Sequence, residues 1–337
     1  MRSKKPAGPG TVVLGDINID IIARVERFPQ PGEDCLAPEL ELHLGGVAAN
    51  TAVALAKWGV SVRLLGSVGQ DAFGELVLGL LRGQQVDVSF IQRNARALTG
   101  LMYTLVSAGG QRTFFGSRGA NAEWSKPAGA EWFEGAQMAH LFGYNFLSPS
   151  VEQAAEQILA EARKQGGWVS LDVCVAPSRQ IPQKILQVAR KVDILFVSLG
   201  EAAALTGEAD HRSAFGALER CGAGEVVMKL GEKGCWFRDG EALREAPSFS
   251  VPAMDTTGAG DAFAAAFLRA RLHGWPRAEA ALVANAAGAA AACVVGAGEG
   301  LPTPQQVFAL LRANRLDAEW DAVRTSALER LQQELSL

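Results

Sequence analysis

The stretch Asp255-Thr-Thr-Gly-Ala-Gly-Asp261, which runs directly into the apolar, helix-like segment Ala262 to Leu272, is the most telling part of this chain. Three small residues, Gly258, Ala259 and Gly260, let backbone N–H groups approach a ligand closely, and the N-terminus of the helix beyond them adds partial positive charge. Phosphate is the natural guest of such a turn. Asp261, an acceptor when ionised, then stands where it takes a proton from a hydroxyl attacking that phosphate. No Gly-Lys-Ser/Thr follows these glycines and their spacing is not G-x-G-x-x-G, so neither a P-loop nor a dinucleotide fingerprint accounts for them. The combination points to phosphoryl transfer.

Across the rest of the chain, short apolar runs alternate with helical patterns. Strands are expected at Val12–Leu14, Val62–Leu65, Met138–Phe142, Trp168–Leu171, Ile194–Val197 and Val226–Leu230. Helices are expected at Ala48–Trp58, Phe73–Arg82, Val151–Lys164, Gln183–Lys191 and Ala214–Cys221, with a further amphipathic helix in the tail Asp317 to Leu337. This rhythm implies an α/β fold, a mostly parallel sheet wrapped by helices. Two stretches alternate in a strand-like way with no helix between: Asp34 to Leu44, and Leu101 to Phe115 with a turn at Gly109-Gly110. A small second sheet and an edge meander on the main sheet both fit them.

The chain has 337 residues, 48% of them hydrophobic and 20% charged, with a net charge of −4, so it carries a large core and is not a disordered chain. Mild acidity with scattered Lys and Arg gives no nucleic-acid footprint. Met1 to Gly10 passes into Thr11-Val-Val-Leu14 without a long apolar core or cleavage site, which is not the pattern of a signal peptide. No run of eighteen apolar residues occurs, and Asn285 and Gly288 break the Ala-rich stretch Ala278 to Val295, which reads as a buried helix and not a membrane span. Five widely spaced cysteines without a C-x-x-C pair imply reduced thiols and a cytoplasmic protein.

Asp255 to Asp261 resembles the C-terminal signature of the ribokinase-like, or phosphofructokinase B type, carbohydrate kinases. Three more motifs resemble the same family in the same order. Leu14-Gly-Asp-Ile-Asn-Ile-Asp20 reads as a strand ending in polar residues, and the resemblance makes Asn18 and Asp20 substrate-binding groups. Gly45-Gly46-Val-Ala-Ala-Asn50 resembles the N-terminal signature, with Gly45, Gly46 and Asn50 serving sugar hydroxyls. Lys229-Leu-Gly-Glu-Lys-Gly234 comes after a strand, and the resemblance puts Lys229, Gly231 and Gly234 on the nucleotide phosphates. Alone, such a Gly-x-x-Gly hairpin is an ordinary turn. The helix around Asn285 and the loop Gly296 to Gly300 would correspond to the adenine pocket. The resemblance also implies that carbonyls near Asp255 and Thr257 line a monovalent cation site, potassium in particular.

The family resemblance implies a single three-layer α/β/α domain over 1–337 with a small β-sheet lid from about 33–44 and 100–117, a lid often used for dimer contacts. It implies an ATP-dependent kinase acting on a hydroxyl, a primary one above all, of a small sugar or sugar derivative. Asp261 would be the base, Gly258, Ala259 and Gly260 would cradle the transferring phosphoryl group, and Mg²⁺ would arrive with the nucleotide. Two departures qualify the resemblance. Val47 stands where ribokinases proper usually carry lysine, which weakens ribose as the substrate. Ser198 replaces the usual asparagine ahead of Glu201, so contacts to the nucleotide there become weaker or water-mediated. A nucleoside kinase shares every motif, with Phe114, Phe115 and Tyr144 as candidates for a base pocket, and a catalytically silent metabolite sensor is a further alternative. Arg112 and Arg118 are candidate cations for a second substrate phosphate.

Overall fold

The computed structural model describes residues 10–109, 111–125, 129 and 131–335. In chain order its strands are β1 (Gly10–Leu14), β2 (Asn18–Val25), β3 (Leu40–Gly45), β4 (Ser61–Gly69), β5 (Ile91–Asn94), β6 (Gly100–Ser107), β7 (Arg112–Ser117), β8 (Ala136–Phe142), β9 (Trp168–Asp172), β10 (Ile194–Ser198), β11 (Glu225–Lys229), β12 (Cys235–Asp239) and β13 (Ala242–Ala246). Nine of them form the main sheet, ordered β13-β12-β11-β10-β9-β8-β1-β4-β5. All its neighbours pair in parallel except at the β11-β12 and β12-β13 edge. The six strands expected from the sequence lie side by side at its centre.

Those strands read as continuous apolar runs because both faces are covered. Val13, Met138, Phe196 and Val227 turn to one face, under the helices Val47–Lys57, Ala259–Leu272 and Arg277–Ala291. Val12, Leu14, Leu171 and Met228 turn to the other, under Pro149–Lys164, Pro182–Ala189 and His211–Arg220. The result is a three-layer α/β/α body. The Ala-rich helices Val47–Lys57 and Ala259–Leu272 pack on each other, and small side chains allow that close approach. The tail forms the expected helix over Ala318–Leu335. Among the described residues no helix is long and apolar enough to cross a membrane, and the five cysteines are free.

A separate four-stranded sheet has the order β3-β2-β6-β7, so the small second sheet is present and the edge meander is not. Its strand set corrects the sequence reading in two places. Leu14 to Asp20 is not one strand: β1 stops at Leu14 and Asn18 opens β2, a central strand of the small sheet. Of the stretch 33–44, only Leu40 onward is strand. The β6-β7 hairpin pairs Val106 with Arg112, while Gly110 of its expected turn lies outside the described residues, as do the N-terminal residues 1–9.

Candidate active site

Parallel strands deliver their carboxyl ends to one edge of a sheet, where ligands bind in open α/β folds. Here Asp16 follows β1, Tyr144 follows β8, Asp172 closes β9, Ser198 closes β10 and Lys229 closes β11. A cavity of about 790 Å³ lies between this edge and the inner face of the small sheet. Asn18, Asp20, Gly46, Asn50, Asp255, Thr257, Gly258 and Asp261 all line it, so the two glycine-containing signatures, far apart in sequence, meet across one space.

Gly258 adopts the left-handed conformation (φ 75°) as the cap of the helix Ala259–Leu272. The first-turn amides of Gly260 and Asp261 meet no backbone carbonyl, as a helix start requires, and remain open to an anion. Asp261 sits in that first turn, where Asn50 Nδ2 donates to its Oδ2 at 2.9 Å. The Oδ1 of Asn50 accepts from Gly298 N at 3.1 Å, so one amide fixes both the carboxylate and the loop beyond it. Burial lifts the Asp261 pKa to about 7, reinforced by the nearby Asp172 and Asp20 carboxylates and opposed by Asn50 and Lys229.

At the opposite wall, the Asp20 carboxylate lies flat over Gly45: a β-carbon there would stand 2.1 Å from Oδ1. That oxygen is buried without a hydrogen-bond partner, and burial pushes the Asp20 pKa up to about 6. Gly46 turns at φ 89°, where a side chain would strike the Asp16 carbonyl. The Asn18 side chain accepts from Asn121 Nδ2 at 2.8 Å, and Asn121 also bridges the main chain of Ile17. Asp16 is held by a two-pronged ion pair to Arg118, 2.7 and 2.9 Å. Sequence reasoning misses Asp16, Asn121 and Asp172. Asp172 is within its reach, being a carboxylate that ends an apolar parallel strand, whereas Asn121 and Asp16 gain their roles only from contacts about a hundred residues away.

The residues expected at the nucleotide are placed more diversely. Lys229 Nζ meets Asp172 Oδ2 at 2.6 Å and would be the nearest neighbour of a β-carbon on Gly260, at 3.5 Å, so the ammonium flanks the anion turn. Ser198 and Glu201 cap one another at the start of the helix Leu199–Thr206: Glu201 Oε2 accepts from Ser198 N at 2.7 Å. Burial raises the Glu201 pKa. Gly231 and Gly234 shape the turn after β11, both with positive φ, and Gly234 abuts the Ala246 carbonyl. Asn285 donates to the carbonyls of Ala246 and Pro247, 3.1 and 3.0 Å, pinning the end of β13. These four, with Ser198, Glu201, Gly45, Ala259 and Gly260, are not among the lining residues.

Asp255 is satisfied on all sides. Its carboxylate accepts from Thr257 N, Thr257 Oγ1, Gly296 N and Arg112 Nη1. Burial alone would raise its pKa, but these donors outweigh it and hold the group at about 2. Arg112 and Arg118, which both line the cavity, are each ion-paired to a carboxylate.

Comparison with known proteins accords with this geometry: the profile of the pfkB family of carbohydrate kinases matches residues 10–304. The chain belongs to that family. This pfkB-family chain is 31% identical to a probable fructokinase-4 of Arabidopsis thaliana, over 90% of its own length and 97% of the relative's. It is 30% identical to the ribokinase of Haemophilus influenzae, covering 89% and 97% of the two chains. A 2-dehydro-3-deoxygluconokinase of Escherichia coli is 31% identical over 70% of this chain and 84% of that protein. Among solved structures, an Arabidopsis thaliana ribokinase complexed with ribose and ATP superposes with a TM-score of 0.80 at 29% identity, over 90% and 98% of the chains. The pfkB-family chain is therefore a phosphotransferase acting on a sugar or sugar-derivative hydroxyl, and these relatives do not favour the nucleoside alternative.

Proposed function

We propose that this kinase moves the γ-phosphoryl group of ATP to a hydroxyl, preferentially a primary one, of a small polyhydroxylated substrate, with Asp261 as the base. One observation carries the assignment. A carboxylate in the first turn of a helix lines the cavity, is oriented by Asn50, and has a pKa near neutrality, where a general base works best. Asn18, Asp20, Asn50 and the backbone at Gly45 and Gly46 would hold the acceptor, since Asp20 carries the unfilled hydrogen-bonding capacity. The open amides of Gly260 and Asp261, with Gly258 and Ala259 as their turn, would receive the transferring phosphoryl group, and Lys229 would offset its charge.

Mg²⁺ would arrive on the nucleotide. Bound there, it would neutralise phosphate charge during transfer. The remaining nucleotide contacts would come from the turn at Gly231 and Gly234 and from Glu201, whose mutual cap with Ser198 orders the neighbouring helix start, while Asn285 keeps the adjoining wall in place. The chain would work as one kinase domain in the cytoplasm with the small sheet as its lid. Leu40, Leu42 and Phe115, exposed on the outer face of that sheet, support a homodimer formed through it.

The test is ADP release measured across free sugars, sugar phosphates, sugar acids and nucleosides. Release that requires a sugar or sugar acid is expected. Release with nucleosides alone, or equal release without any acceptor, would overturn the proposal.

A further inference from the structure

Asp255 opens the anion turn, and its environment is at odds with the monovalent cation implied by family resemblance. Oδ1 accepts from Thr257 Oγ1 at 2.7 Å, Thr257 N at 3.0 Å and Arg112 Nη1 at 2.6 Å, and Oδ2 accepts from Gly296 N at 3.0 Å. Arg112 Nη2 goes on to the Met254 carbonyl at 3.2 Å, and the Ala292 carbonyl receives the amides of both Met254 and Asp255. A metal cation needs oxygens that are free to turn toward it. Here the Asp255 carboxylate and the Met254 and Ala292 carbonyls beside it already face hydrogen-bond donors, and the carboxylate's charge is met by Arg112. With its charge and its acceptor sites so engaged, the Asp255 carboxylate does not fit a metal.

It does fit a guanidinium, and one is present. Arg112 is the first residue of β7, at the tip of the β6-β7 hairpin, and its fork reaches the body at residues 254 and 255. A carboxylate so close to an anion site would repel an incoming phosphate unless a positive charge offset it. Arginine supplies that charge at every working pH.

We infer that Arg112 takes the place of a monovalent cation beside the anion turn, so that phosphoryl transfer by this protein needs no added potassium. The inference rests on the kinase function proposed for the site, and its test separates the two. Initial rates would be measured with the Tris salt of ATP and magnesium chloride, in potassium chloride and in choline chloride at equal ionic strength, and thermal unfolding would be followed in the same two salts. The wild-type protein is expected to show the same rate and the same melting temperature in both. Arg112→Ala is expected to lose about tenfold or more in rate in choline chloride, the effect of one charge-assisted hydrogen bond, and to recover with potassium. It should also melt higher in potassium than in choline, whereas Arg112→Lys, which keeps the charge, should stay indifferent to the salt.

Potassium activation of the wild-type protein would overturn the inference. So would an Arg112→Ala protein that is equally slow and equally stable in both salts. If no acceptor is phosphorylated in either salt, the kinase function fails. The melting experiment still decides the place of Arg112, because it needs no turnover.

Discussion

Asp20 is left with a buried oxygen that has no hydrogen-bond partner among the described residues. Such a group costs free energy until a donor arrives, and a hydroxyl of the proposed acceptor would be that donor. Asp20→Ala is therefore expected to lower kcat/KM for the acceptor by about a hundredfold or more, at about 1.5–3 kcal/mol per charged hydrogen bond lost, with ATP affinity unchanged. Calorimetric titration showing weaker ATP binding and an unaffected acceptor would mean the two ends of the site are assigned backwards. Asp261→Asn keeps an oxygen for Asn50 and leaves the anion turn intact, so turnover should fall by about two to four orders of magnitude while nucleotide binding persists. In the wild-type enzyme kcat/KM should decline as pH drops below about 7, because the base becomes protonated. A flat profile from pH 8 to 6 would exclude Asp261 as the group that titrates.

The start of the helix Ala259–Leu272 shows how far local sequence reaches. Its glycines announce a tight turn at a helix start, and the turn is where they put it, but the Cβ direction of Gly260 toward Lys229 Nζ is not readable from a chain in which the two lie about thirty residues apart. Gly260→Val is expected to push the ammonium aside and reduce turnover without unfolding the protein; kinetics and circular dichroism on one sample check both halves. The six central strands are legible because burial on both faces makes them plain apolar runs. β2 is not, since Asn18 to Val25 begins with the polar residues that read as the end of β1, and the Gly15-Asp16 pair at the break is short enough to pass for the end of that strand. The β12-β13 hairpin does carry a signal, Asp239-Gly240 between apolar runs, with Gly240 at φ 60°. Pairings such as Asp16 with Arg118 join segments that only the finished fold brings together.

Taken over the entire protein, the candidate site is a burden on stability. Burial raises the Asp261 and Asp20 pKa values from 3.8 to about 7 and about 6, so the folded state binds protons more tightly than the unfolded chain, and stability is lost as pH rises through those values. His140, lowered by burial from 6.5 to about 4, acts in the opposite sense, already by about 0.4 kcal/mol at pH 6.5 where the unfolded chain is half protonated, and His273, also lowered, has the same sign. Between pH 8 and 6.5 the two carboxylates outweigh His140, and the unliganded protein should be more stable at the lower value by about 0.5 kcal/mol. Thermal unfolding at the two pH values checks this, and Asp261→Asn should abolish or slightly reverse the difference. The small sheet adds a constraint of another kind. Its central ladder runs β2 alongside β6 in parallel, joining Asn18 to Gly100, and the chain between them must first travel through β4 and β5 of the main sheet. Closing so long a loop is entropically expensive until the body is in place. The body should therefore assemble before the sheet that covers it, and a newly made chain would acquire its tertiary structure first and its ability to hold a substrate last.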